Sequence, residues 1–343
     1  MTTISVQATG PGLSDGWRRW LAENYMSGIP EPDLRRILVD NGATEAQAAA
    51  ELEAVRQSPY VHAGLWTVQR LRKLECTLDI YQRLRSLSAA DPGVPRRRGL
   101  TREEFLEEHY AQNRPVLLGD VASSWKALTA WTPEYLKRQV GQETVEIMAG
   151  READGRYEVN SDAHRTSIRF GDYVDMVTRA GRSNDFYLVA NNHFLERPGA
   201  APLWADFEID ERYLDPGSVV STVFFWFGPA GTITPLHHDT SNVLLTQVRG
   251  RKRVKLISSL QAHRLYNEVS VYSEVDADHP DLERHPLFRD VPVQEVELRP
   301  GEALFIPVGW WHWVQSHDVS LSLSFTNFVF PNRYDWELPQ ILR

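Results

Sequence analysis

The chain has 343 residues, 42% hydrophobic and 24% charged, with a formal net charge of −9. This is the composition of a globular chain with ample material for a core, and its acidic balance argues against a protein built mainly to grip nucleic-acid backbones. The single Cys76 excludes an intrachain disulfide and fits a reducing compartment. Met1 to Gly10 has no basic n-region and no apolar run, and no uncharged apolar stretch approaches the ~20 residues of a membrane span. A cytoplasmic location, away from membranes, is the expectation.

Residues 14–88 read as all-helical. Trp17, Trp20, Leu21 and Tyr25 fall at helical spacing. Pro30 and Pro32 punctuate the chain, and Leu34, Ile37 and Leu38 begin a second helix that Asn41-Gly42 stops. Thr44-Glu45-Ala46-Gln47 forms a capping box that opens a third helix to about Arg56. Leu65, Val68, Leu71, Leu74, Leu78, Tyr81 and Leu84 then make one long stripe in steps of three and four. The expectation is a helical bundle over 1–90. Residues 91–99, with Pro92, Gly93, Pro95 and the run Arg96-Arg97-Arg98, read as a linker. A second capping box, Thr101-Arg102-Glu103-Glu104, opens the domain expected over 100–343.

From Pro115 the pattern turns to β. The alternation predicts strands at 116–118, 144–148, 157–160, 166–170, 186–190, 219–227, 236–239, 242–248, 252–257, 294–298, 303–306, 312–315 and 320–328, with helices at about 133–139 and 172–180. Many short strands between turn signals point to a barrel or sandwich, mostly β with α.

The chemistry concentrates in Thr234-Pro235-Leu236-His237-His238-Asp239. On an extended chain His237 and Asp239 share one face and His238 takes the other. An imidazole and a carboxylate so placed can grip one metal ion, and His312, in Gly309-Trp310-Trp311-His312-Trp313, is the best candidate for a third ligand. Two His and one carboxylate leave positions open on the ion, which suits non-haem Fe(II) and O2, although the ligand set alone also accommodates Zn(II). Lys252 lies in a strand otherwise made of Val254, Leu256 and Ile257, so it serves either the wet face of a sheet or an anion.

Residues 100–330 resemble the JmjC-type, cupin-like 2-oxoglutarate oxygenases, and within them the protein-hydroxylase branch that includes the asparaginyl hydroxylase of the hypoxia pathway. The resemblance rests on Phe227-Gly228-Pro229 through Thr234-Pro235-Leu236-His237-His238-Asp239, on Gln247-Val248-Arg249-Gly250-Arg251-Lys252, and on Gly301-Glu302-Ala303-Leu304-Phe305-Ile306-Pro307 leading to Trp310-Trp311-His312. It implies a double-stranded β-helix, or jelly roll, after the N-terminal helical bundle. It implies that His237, Asp239 and His312 ligate Fe(II), with 2-oxoglutarate as cosubstrate. Lys252 would then bind the distal carboxylate of 2-oxoglutarate, joined by Thr234 and Tyr187, and Asn327 would lie near its metal-bound end. The family often has Asn six residues past the first His, where this chain has Val243, so Asn242 contacts the cosubstrate only if a bulge intervenes. Asp rather than Glu as the carboxylate ligand is the commoner choice among the family's hydroxylases. The expected activity is therefore hydroxylation of a peptide or protein side chain, with a small molecule or free amino acid, or a silent ligand-binding cupin, as alternatives.

Overall fold

The computed structural model describes residues 12–87, 93–189, 193–267 and 269–334. The N-terminal stretch 1–10, where no leader is expected, lies outside them, as do the end of the predicted bundle, the start of the linker and residue 190. The chain divides into two compact units, Met1–Arg83 and Leu84–Arg343.

The first unit is helical: α1 (Asp15–Ser27), α2 (Glu31–Asp40), α3 (Glu45–Gln57) and most of α4 (Pro59–Ser86). Ser14 caps α1, and Gly28, with φ 88°, closes it. The Thr44 box forms as predicted, with Gln47 N–H donating to Thr44 Oγ1 at 3.2 Å and Thr44 N–H donating to Gln47 Oε1 at 2.9 Å. Trp17, Leu21, Leu34, Leu38, Ala48, Leu52 and Val61 make its core. Among the described residues no helix is long and apolar enough to cross a membrane.

The second unit is a double-stranded β-helix. Its strands are β1 (Arg96–Arg97), β2 (Val116–Leu118), β3 (Thr144–Ala149), β4 (Arg165–Arg169), β5 (Phe186–Tyr187), β6 (Val223–Gly228), β7 (Ile233–His238), β8 (Val243–Arg249), β9 (Lys252–Ile257), β10 (Gln294–Leu298), β11 (Ala303–Ile306), β12 (Trp311–Ser316) and β13 (Ser320–Phe325). One sheet has the order β1-β2-β11-β8-β13-β6, the second β10-β9-β12-β7, and a small third sheet β4-β3-β5.

The two large sheets pack face to face, and strand alternation sorts their side chains. Leu304 and Ile306 of β11, Leu245 of β8, Val254 and Leu256 of β9, and Val314 of β12 meet between them. Ala303 and Phe305 face outward, under Leu136, Val140, Phe170, Tyr173 and Val177 from the helices Pro133–Val140 and Phe170–Arg179. On the outside of the smaller sheet Trp311 and Trp313 pack under Leu265, Val275 and Phe288.

Three expectations are corrected. Residues 157–160 are not a strand: Asp154 accepts hydrogen bonds from Arg156 N–H, Asn160 Nδ2 and His164 Nε2, and these local bonds hold the segment in turns. Part of the stretch read as linker is structural, because Arg96 and Arg97 pair parallel with Leu117 and Leu118. The strand expected from 219 begins at Val223.

Candidate functional site

The site is built on β7 and β12, which run antiparallel with His237 directly opposite His312 and His238 opposite Trp311. The register shifts between His312 and Val314, so Pro235 and Leu236 together stand opposite Trp313. Such a bulge is a place where a strand tolerates proline, which lacks the ladder N–H. It also resets the alternation, so that Thr234 and His237, three residues apart, face the same cavity. Asp239 follows the end of β7, and Gly309 N–H, on a residue with φ 76°, donates to its carbonyl at 3.0 Å. Only glycine adopts that turn without strain.

His237, Asp239 and His312 bring one ligand atom each within 4.8 Å of one another, the one such cluster among the described residues. The two imidazole rings lie 4.0 Å apart, and His312 Nε2 is 3.5 Å from Asp239 Oδ2. His237 Nδ1 meets the Pro235 carbonyl at 2.8 Å, and His312 Nδ1 meets the Trp310 carbonyl at 3.1 Å. A carbonyl only accepts, so each Nδ1 carries the proton and each Nε2 keeps its lone pair for a metal. Burial, with a smaller effect of His237, pushes the His312 pKa down to about 4, which keeps it the neutral ligand a metal requires. This donor set fits a divalent ion such as Fe(II). His238 takes the other face, its ring 4.6 Å from Trp311.

The triad opens on a cavity of about 530 Å³, whose lining includes Tyr187, Thr234 and Lys252. Lys252 is buried between the sheets, and its Nζ donates to Tyr187 Oη at 3.1 Å. No carboxylate among the described residues pairs with it, and burial pushes its pKa down to about 7. Tyr187 is held by Gly228, where a Cβ would come within 2.5 Å of its ring.

Two expected site residues are not brought to this cavity. Asn242 precedes β8 and clamps loops: its Nδ2 donates to Asn332 Oδ1 at 2.9 Å, and its Oδ1 accepts Val308 N–H at 2.8 Å. Both amide ends are engaged by these loops, and Val243 and Leu245 are the β8 residues that line the cavity. Asn327 donates through Nδ2 to the Asp215 carbonyl at 2.8 Å, tying two loops together.

Sequence reasoning missed Arg151. It is fully buried, its Nη2 donates to the Ile233 carbonyl at 2.6 Å, and its guanidinium stacks 4.2 Å from Tyr157 and 5.5 Å from Tyr187. Tyr157 Oη donates to the same carbonyl at 3.0 Å, and Asn184 Oδ1 accepts Ile233 N–H at 2.8 Å. Ile233 is thus clamped on both backbone groups immediately before Thr234. Glu158 and Tyr272, which also line the cavity, were missed as well: Glu158 was assigned to a strand that does not form, and Tyr272 sits on a segment without periodic signal.

Residues 101–332 match a family described as the cupin-like domain. The chain is 30% identical over 243 residues to lysine-specific demethylase 8 of Xenopus tropicalis, covering 69% of this chain and 53% of that protein. It is 32% identical over 240 residues to lysine-specific demethylase JMJ30 of Arabidopsis thaliana, covering 68% and 54%. It is 28% identical over 242 residues to tRNA wybutosine-synthesizing protein 5 of Homo sapiens, covering 67% and 76%. The chain spans about half the length of the two demethylases.

Proposed function

Because the chain belongs to the cupin-like, JmjC-type family, we propose that it is an Fe(II)- and 2-oxoglutarate-dependent dioxygenase that hydroxylates a side chain of a peptide or protein. The observation that carries the reading is the pairing, in one cavity, of a His-Asp-His ligand set with a buried lysine that has no carboxylate partner among the described residues. An uncompensated lysine at such depth costs stability, and an anionic ligand is what offsets it.

His237, Asp239 and His312 hold the metal. Lys252 anchors the distal carboxylate of 2-oxoglutarate, with Thr234 and Tyr187 donating hydroxyls beside it. Lys252 stands opposite Ser316, four residues along β12 from His312; at ~3.3 Å per residue the two positions are about 13 Å apart, a span that a lysine side chain and a short dicarboxylate fill end to end. Trp226, whose Nε1 donates to Ser324 Oγ at 2.8 Å, forms part of the cavity wall. Ferrous iron and 2-oxoglutarate, when bound, supply the activation of dioxygen that ends with one oxygen atom inserted into a substrate C–H bond.

Lysine-specific demethylases among the relatives favour a protein side chain as substrate, and demethylation begins as hydroxylation of an N-methyl carbon. The test is mass spectrometry of a peptide library containing methylated and unmethylated lysines, incubated with the protein, Fe(II), 2-oxoglutarate and air. A peptide that gains one oxygen atom and keeps its methyl groups is expected. Loss of a methyl group with release of formaldehyde would make the protein a demethylase, and turnover with tRNA or a free metabolite alone would contradict a peptide substrate.

A further inference from the structure

Helix α4 leaves an apolar stripe in solvent. Of its 28 residues only Val61 is buried, while Leu71 is 53% exposed, Leu74 62% and Tyr81 57%. Leu71, Leu74, Leu78 and Tyr81 follow one another in steps of three, four and three, the spacing of the a and d positions of a two-stranded coiled coil. Thr67 continues the same face toward the N-terminus as far as Gly64, the next a position, where Met26 packs against the helix. Val61 and Leu65, which pack into the helical unit, lie roughly a third of a turn round the helix. From Thr67 to Tyr81 the stripe is therefore clear of the face that α4 uses within its own unit.

The residues flanking the stripe indicate what covers it. With Leu71 and Leu78 at a, and Leu74 and Tyr81 at d, Arg70 falls at g and Glu75 at e. In a parallel, in-register pair each g residue faces the e residue five positions on in the other helix. Arg70 of one copy then meets Glu75 of the other, and two-fold symmetry makes the contact twice. Neither residue has an ion-pair partner within the chain among the described residues; Arg70 lies over the Trp66 ring at 4.7 Å. An antiparallel pair loses this match, because there g faces g and e faces e. A self-complementary surface of this kind is what a two-fold dimer requires.

We propose that α4 pairs with α4 of a second copy of this chain as a parallel two-stranded coiled coil, making the protein a homodimer through its helical unit. The pairing is independent of the chemistry in the cavity.

Sedimentation velocity of the full chain across low to tens of micromolar concentration tests it. Twice the chain mass is expected for the wild type. Leu74→Glu, on an exposed position, is expected to give monomers whose circular dichroism and melting temperature match the wild type at dilution. Arg70→Glu sets like charges together and weakens the dimer about tenfold, and Arg70→Glu/Glu75→Arg restores it. A wild type that stays monomeric, or a dimer indifferent to Leu74→Glu, overturns the pairing. A dimer that Leu74→Glu abolishes but that the double charge reversal does not restore overturns the parallel register.

Discussion

A lysine ammonium buried between two β-sheets loses its hydration, and among the described residues the Tyr187 hydroxyl is the hydrogen-bond partner that meets Lys252. Its pKa, drawn down to about 7 by burial, returns toward the ordinary lysine range when a carboxylate binds. The sign follows: above pH 7 the free side chain is mostly neutral and takes up a proton on binding, whereas below pH 7 it is already charged. Calorimetry of 2-oxoglutarate binding in buffers of different ionisation enthalpy should show uptake of nearly one proton at pH 8 and little at pH 6. Equal uptake at both would remove Lys252 from that role. Lys252→Ala should weaken 2-oxoglutarate binding roughly 10- to 100-fold, the ~1.5–3 kcal/mol of a charge-assisted hydrogen bond, and leave metal affinity unchanged. From spacing alone this residue was ambiguous between a wet sheet face and an anion site. Its burial excludes the wet face, and the company it keeps could not be read locally: Tyr187 and Trp226 come from β5 and β6, and no local pattern announces that they converge on β9.

Among the elements, β7 shows how far a periodic reading carries. Simple alternation puts His237 and Asp239 together and His238 apart, as the strand has them. It cannot bring Thr234 to the same face, because the bulge at Pro235 and Leu236 is a property of the pairing with β12 and not of β7 itself. The same limit explains Asn242: its partners, Val308 and Asn332, are remote in sequence. Asn242→Ala should cost about 2 kcal/mol of stability through the lost bonds and the stranded Val308 N–H, read as a lower urea midpoint, and should leave 2-oxoglutarate binding as it was. Weakened binding at unchanged stability would return Asn242 to the pocket. Gly228→Ala acts through Tyr187: a methyl group within 2.5 Å of that ring must displace it. Weaker 2-oxoglutarate binding with the triad still metal-competent is the expected result.

Across the whole molecule, the space between the large sheets is apolar around Leu117, Val254, Leu256 and Leu304, and elsewhere holds a cavity carrying the metal ligands and the lysine. The strand order that makes this possible was legible as a class, because short alternating strands between turn signals leave few architectures. The turns at 157–160 and the pairing of Arg96-Arg97 were not, since each depends on side-chain bonds or partners that periodicity does not register. A ligand that binds only the folded state stabilises it, by ~2.7 kcal/mol at a hundredfold excess over its Kd. Fe(II) added without oxygen should therefore raise the melting temperature of the wild type and not of Asp239→Ala. The oxygenase reading is tested most directly by succinate formation from 2-oxoglutarate, with Fe(II) and air, comparing the wild type with Asp239→Ala. Succinate from the wild type alone is predicted. No succinate from either protein, together with no binding of 2-oxoglutarate by the wild type, would contradict the oxygenase and leave a cupin that binds some other ligand.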